Sequence, residues 1–151
     1  MKLKIAAIAA AIACGALASA AQAEPWVDWS PGKSVTEKTY VHVEPGHMDD
    51  YLTGLRRTWV PAQAYRKAHG EISNYVVLVN QNGYGGGPNV LLVVNYPDMG
   101  SMGPDRTRAL AERDAMRKLI TDQARDAKVA EYNTYRKQVA IETWRTVEFP
   151  K

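Results

Sequence analysis

Two unbroken apolar runs constrain this chain most: Tyr75-Val76-Val77-Leu78-Val79 and Val90-Leu91-Leu92-Val93-Val94. Each has strand length and is rich in β-branched residues, and each sits in a longer strand pattern, Ile72–Gln81 and Asn89–Tyr96. The link Asn82-Gly83-Tyr84-Gly85-Gly86-Gly87-Pro88 is short and glycine-rich, which makes the pair an antiparallel hairpin. A strand with one wet face alternates apolar and polar residues. These two do not alternate, so both of their faces need cover.

The remaining elements follow from periodicity. Thr39-Tyr40-Val41-His42-Val43-Glu44 alternates with period two and reads as a strand ended by Pro45-Gly46. From His47 to His69, Met48, Tyr51, Leu52, Leu55, Trp59 and Ala62 recur at steps of three and four, the stripe of an amphipathic helix. Pro61 predicts a kink or restart, with the proline in a first helical turn, and Gly70 suits a left-handed C-terminal cap. A loop over Pro97–Gly103 leads to a long helical region from Pro104 or Asp105 to Val139. Its stripe loses continuity around Arg125–Lys128, where a division is expected. Ile141–Phe149 is a final strand carrying Trp144.

The order β-α-β-β-α-β predicts an α+β domain of the ferredoxin-like class, a four-stranded antiparallel sheet with helices on one face. Helices cover that face only. A second copy packed against the other would bury it and enclose a barrel-like interior, so a homodimer is expected.

The N-terminus gives an address. Lys2 and Lys4 precede an apolar run from Ile5 to Leu17, and Ala21-Gln22-Ala23 supplies small residues at a cleavage site. This is the layout of a bacterial signal peptide over residues 1–23, with export to the periplasm or beyond and a chain starting at Glu24. The run falls short of the roughly 20 residues of a membrane span, so no stable transmembrane segment is expected after cleavage. The alternative is a lipid anchor on Cys14, since Ala11-Ile12-Ala13-Cys14 loosely resembles a lipobox. Cys14 is the only cysteine, so packing alone must hold the domain. Residues 24–38, with Trp26, Trp29, Pro31 and Gly32, show no periodicity and read as an N-terminal arm before a domain over 39–151. The arm packs on its own domain or contacts a partner.

Charge excludes one class of partner. The formal net charge is +3, but Lys2 and Lys4 belong to the leader, and the basic stretches Arg56-Arg57 and Arg106–Arg117 lie among acids. No basic stripe for nucleic acid remains. Gly83, Gly85, Gly86 and Gly87 are not a phosphate loop, because no Lys-Ser/Thr follows and the link joins two strands. No G-x-S-x-G elbow and no H-E-x-x-H spacing occur, so no metal site is assigned. His47 and His69 flank the first helix, where His69 and the acids Asp49-Asp50 suit opposite ends of the helix dipole.

The candidate site lies on the first strand. Tyr40, His42 and Glu44 share one face, opposite Val41 and Val43. A histidine beside a carboxylate suits a proton shuttle or a ligand contact, and a hydrogen-bonded interface histidine is the plainer reading. Trp144 joins them as an aromatic candidate for ligand binding.

Three features extend beyond topology: the strand Tyr40–Glu44 followed by Pro45-Gly46, the helix with Trp59 and Pro61, and Tyr96-Pro97-Asp98 after the hairpin. Over roughly Thr39–Phe149 the chain resembles the dimeric α/β-barrel superfamily of ferredoxin-like proteins. Its members include small monooxygenases, haem-degrading and dismutase-like enzymes, and proteins of no known activity. The resemblance therefore implies a small-molecule pocket, between the sheet and the helices or near the dimer interior. It carries over no catalytic residue and no cofactor. Three functions stay open: a barrel protein holding a small apolar ligand, an oxygenase-like or haem-related enzyme using the barrel pocket, and an envelope protein-interaction module.

Overall fold

A computed structural model of the chain describes residues 24–81 and 86–151. The expected leader, including Cys14, and most of the glycine-rich hairpin tip lie outside the described residues. Four strands, β1 (Ser30–Val43), β2 (Asn74–Val79), β3 (Val90–Tyr96) and β4 (Arg136–Glu148), form one sheet in the order β2-β3-β1-β4. Every neighbouring pair is antiparallel. With the helices between β1 and β2 and between β3 and β4, this is the ferredoxin-like topology expected from the order of elements. The resemblance to dimeric α/β-barrel proteins holds at this level.

Two strands are longer than periodicity indicates. β1 starts at Ser30 rather than Thr39, so most of the expected arm is strand, paired from Ser30 opposite Glu148 onward. The pairing of β1 with β4 shifts between Pro31 and Val35, which accommodates a proline and a glycine that read as breakers. β4 starts at Arg136 rather than Ile141, directly after a helix.

Both helical regions are split. The first divides into α1 (Met48–Arg57) and α2 (Trp59–Ala68) at Thr58, upstream of Pro61. The physical cause is still the proline. Its nitrogen cannot donate to Arg57, and its ring would press on that carbonyl in a continuous helix, so the break falls within the preceding turn. Pro61 then sits in the first turn of α2, as expected. Gly70, at φ +71°, closes α2 with two bonds: its own N–H donates to Lys67 O and that of Glu71 to Arg66 O. This is a Schellman cap, and a left-handed residue is required there.

The second region divides into α3 (Arg106–Arg117) and α4 (Asp122–Tyr135), so the break falls at residues 118–121 and not at Arg125–Lys128. Caps decide the position. The Thr121 hydroxyl accepts from the N–H of Ala124 at 3.2 Å, and Asp105 caps α3 by accepting from Arg108 N–H at 3.0 Å.

The core lies between the helices and one face of the sheet. Val41 and Val43 from β1 and Val90 and Leu92 from β3 bury against Tyr51 and Leu55 of α1 and Tyr132 and Tyr135 of α4. A second cluster joins Val35, Ile72, Val94 and Tyr96 nearer α2. On the opposite face no helix of the described residues covers the sheet. Val76, Leu78 and Trp144 there are 38, 49 and 52% exposed.

Candidate functional site

The open face of the sheet carries the residues marked in the sequence. The register sets Thr36 opposite Trp144 and Lys38 opposite Glu142, with Tyr40 opposite Ala140. Side chains two apart on a strand share a face, so Lys38, Tyr40, Glu142 and Trp144 converge. Glu142 Oε2 accepts from the Tyr40 hydroxyl at 3.0 Å and from Trp144 Nε1 at 2.9 Å. Lys38 Nζ stands 4.3 Å from the Trp144 ring centroid, a cation–π contact. Desolvation and the Glu142 carboxylate both push the Tyr40 phenol upward from its usual range. Tyr40 also lines a groove of about 330 Å³ with Leu78, Pro88 and Leu91.

His42 and Glu44 form a separate pair at the hairpin end. The bulge between Tyr40 and Val41 in the pairing with β4 falls between these two groups. His42 Nδ1 is 2.7 Å from the carbonyl of Gly87, which makes Nδ1–H the donor. Nε2 then faces Glu44, 3.8 Å from Oε1. Beside them a cleft of about 250 Å³ is lined by Pro45, Met48, Gly87 and Asn89. Asn89 fixes this corner: its side-chain amide accepts from Val43 N–H and donates to Val43 O, each at 2.8 Å. The arrangement fixes one imidazole tautomer and leaves the other nitrogen next to a carboxylate, which suits proton exchange with a small molecule.

The four expected residues thus come together as two pairs, Tyr40 with Trp144 and His42 with Glu44. Val41 and Val43 turn to the helices as alternation requires. Sequence reasoning missed Glu142, Lys38 and Asn89. Glu142 was legible in part, since it stands two residues before Trp144 on the same strand face. Its bond to Tyr40 depends on cross-strand register, for which the sequence holds no signal. His47 and His69 serve locally: His47 stacks on Tyr135 with ring centroids 4.6 Å apart, and His69 Nδ1 lies 2.8 Å from Tyr65 O. Among the described residues no three acidic, histidine or cysteine side chains gather as a metal site.

No protein family matches this sequence, and no curated protein matches it either. Solved structures of similar shape exist. A protein from Shewanella oneidensis is 12% identical with a TM-score of 0.48, the match covering 80% of this chain and 98% of that one. A dimeric ferredoxin-like protein from an uncultured marine organism is 9% identical with a TM-score of 0.45, covering 80% and 91%. A Bacteroides thetaiotaomicron protein of unknown function, described as a possible oxidoreductase, is 7% identical with a TM-score of 0.46, covering 76% and 98%. Likeness at these identities concerns the fold, which strand order and pairing establish independently.

On the helical side of the sheet lies a different cleft, of about 280 Å³, among Leu55, Trp59, Leu92, Val129, Tyr132 and Arg136. The Thr58 hydroxyl donates to Gly54 O at 3.0 Å, so the 3.1 Å bond between Thr58 and Tyr132 is donated by the phenol. Burial pushes the Tyr132 phenol up from its usual range, with the Thr58 bond opposing. Of the two cations at this cleft, Arg125 pairs with Asp122 at 3.3 Å and Asp126 at 3.1 Å.

Proposed function

We propose that this chain is an exported α+β barrel protein that pairs with a second copy through the open sheet face and holds a small apolar ligand there. One observation carries the reading: the two apolar hairpin strands, β2 and β3, have helices on one side only. Val76 and Leu78 remain on the other side with Trp144, beside a groove floored by Leu91 and walled by Tyr40. An exposed apolar patch rimmed by polar groups marks an interaction surface. A two-fold axis through it makes the contact self-complementary, which suits a face where the aliphatic side chains of β2 and β3 lie beside polar groups that already have partners: Lys38 over the Trp144 ring, and Glu142 bonded to Tyr40 and Trp144. Export follows from the basic, apolar and Ala-x-Ala order of residues 1–23.

Native mass spectrometry tests the reading in a single spectrum. The expected species is a dimer that retains a small molecule of a few hundred daltons. A monomer without adduct contradicts both the pairing and the ligand. An oxygenase-like activity is the second reading, and the fixed tautomer of His42 beside Glu44 favours it. It requires turnover of a bound organic compound that His42→Asn abolishes.

A further inference from the structure

The helix-side cleft contains a cation without a counter-ion. Arg136 opens β4 directly opposite Val43, which is buried, so its stem leaves the sheet toward the helices. Its guanidinium carbon lies 5.7 Å from the Tyr51 ring centroid and 5.5 Å from that of Tyr132. The guanidinium donates one long hydrogen bond, from Nη1 to the Tyr51 hydroxyl at 3.4 Å. Arg125, the other cation lining this cleft, has carboxylates within 4 Å, and Arg136 has none among the described residues. A guanidinium stays charged at any physiological pH and offers five donors in a planar fork. Taking it partly out of water without a partner is costly, and a ligand anion removes that cost.

The rest of the cleft specifies the ligand body. Leu55, Trp59, Leu92 and Val129 make its walls apolar. The Tyr132 hydroxyl spends its proton on Thr58 Oγ1 and the Thr58 hydroxyl spends its own on Gly54 O, leaving Arg136 as the anion donor. One unpaired cation neutralises one charge, so a monoanion fits better than a phosphate ester carrying two.

We propose that this cleft binds a small amphipathic carboxylate, with the carboxylate on Arg136 and the hydrocarbon chain or ring against Trp59 and Leu55. The site is independent of the pairing of two copies, because it lies on the opposite side of the sheet.

Octanoate is the probe, with octanol as its uncharged counterpart, both titrated calorimetrically into the purified protein. The wild type is expected to bind octanoate more tightly than octanol. Arg136→Met keeps the stem and removes the fork. It should weaken octanoate roughly tenfold or more, the effect of losing a charge-assisted bond, and leave octanol unchanged. Equal binding of octanoate by the wild type and Arg136→Met overturns the proposal, as does no octanoate binding by the wild type. Ala62→Leu provides a second arm if Arg136→Met fails to fold. Ala62 lines the same cleft, and filling it should abolish binding of both probes with Arg136 intact. Undiminished octanoate binding by a folded Ala62→Leu protein overturns the location.

Discussion

The Tyr132 ring of α4 lies so close over Gly54 of α1 that a Cβ added at Gly54 would fall on the phenol itself. Gly54 is not a turn residue here. It is the gap that lets α4 approach α1, with Tyr132 2% exposed and locked by its bond to Thr58. Gly54→Ala must displace the ring or part the helices. The expected loss is about 1–3 kcal/mol, the usual cost of overpacking, despite the better helix propensity of alanine. Chemical denaturation of Gly54→Ala, alone and combined with Tyr132→Ala, checks this. The alanine at 54 should cost much less once the ring is gone.

Glu112 of α3 faces Arg66 and Glu71. Burial pushes its carboxyl above the usual range; the Arg66 charge opposes this and the Glu71 charge adds to it. The folded chain therefore holds this proton more tightly than the unfolded chain. The resulting stabilisation is complete below the ordinary carboxylate pKa and is lost as pH rises through the raised, folded value. Glu112→Gln should then raise the melting temperature at neutral pH and leave it unchanged below about pH 4, where glutamate is protonated in both states. Thermal melts of both proteins across that range check the sign. A lower melting temperature for the glutamine variant at pH 7 contradicts it.

His42 separates a structural from a chemical role. Its Nδ1–H holds the Gly87 carbonyl of the hairpin, so His42→Asn should cost roughly 1 kcal/mol of stability through that bond. If the Nε2–Glu44 side does chemistry, the same variant also loses bound ligand or turnover while remaining folded. Calorimetric stability and ligand occupancy measured on one preparation distinguish the two. Unchanged stability contradicts the role given to the Gly87 bond.

The fold was legible because each element carried its own period. The unbroken runs of β2 and β3 and the alternation of Val41 and Val43 placed the sheet, and the stripe from Met48 to Ala62 placed the first helical pair. The first half of β1 was illegible because Ser30–Lys38 alternates poorly and holds Pro31 and Gly32. Pairing with β4 makes it a strand, a long-range effect that no local propensity records. The break at Thr58 rather than Pro61 shows the proline acting one turn upstream of itself. The break before α4 was readable in principle from the Thr121 cap. The site was legible one strand at a time. Alternation grouped Tyr40 with His42 on one face, but the register with β4, whose extra residue falls at Val139, is what joins Tyr40 to Glu142 and Trp144. Arg136 stood out in no pattern, because an arginine after a helix is ordinary until its neighbours show that no acid meets it.

Sedimentation equilibrium of the wild type beside Leu78→Glu tests most directly whether the open sheet face joins two copies. Leu78 is 49% exposed on β2 and makes no part of the buried core, so glutamate there should leave the circular dichroism spectrum unchanged. The wild type should sediment as a dimer at micromolar concentration and the variant as a monomer, because two carboxylates would be buried at the shared face. A wild type that stays monomeric at that concentration, or a Leu78→Glu protein that stays fully dimeric, contradicts pairing through this face.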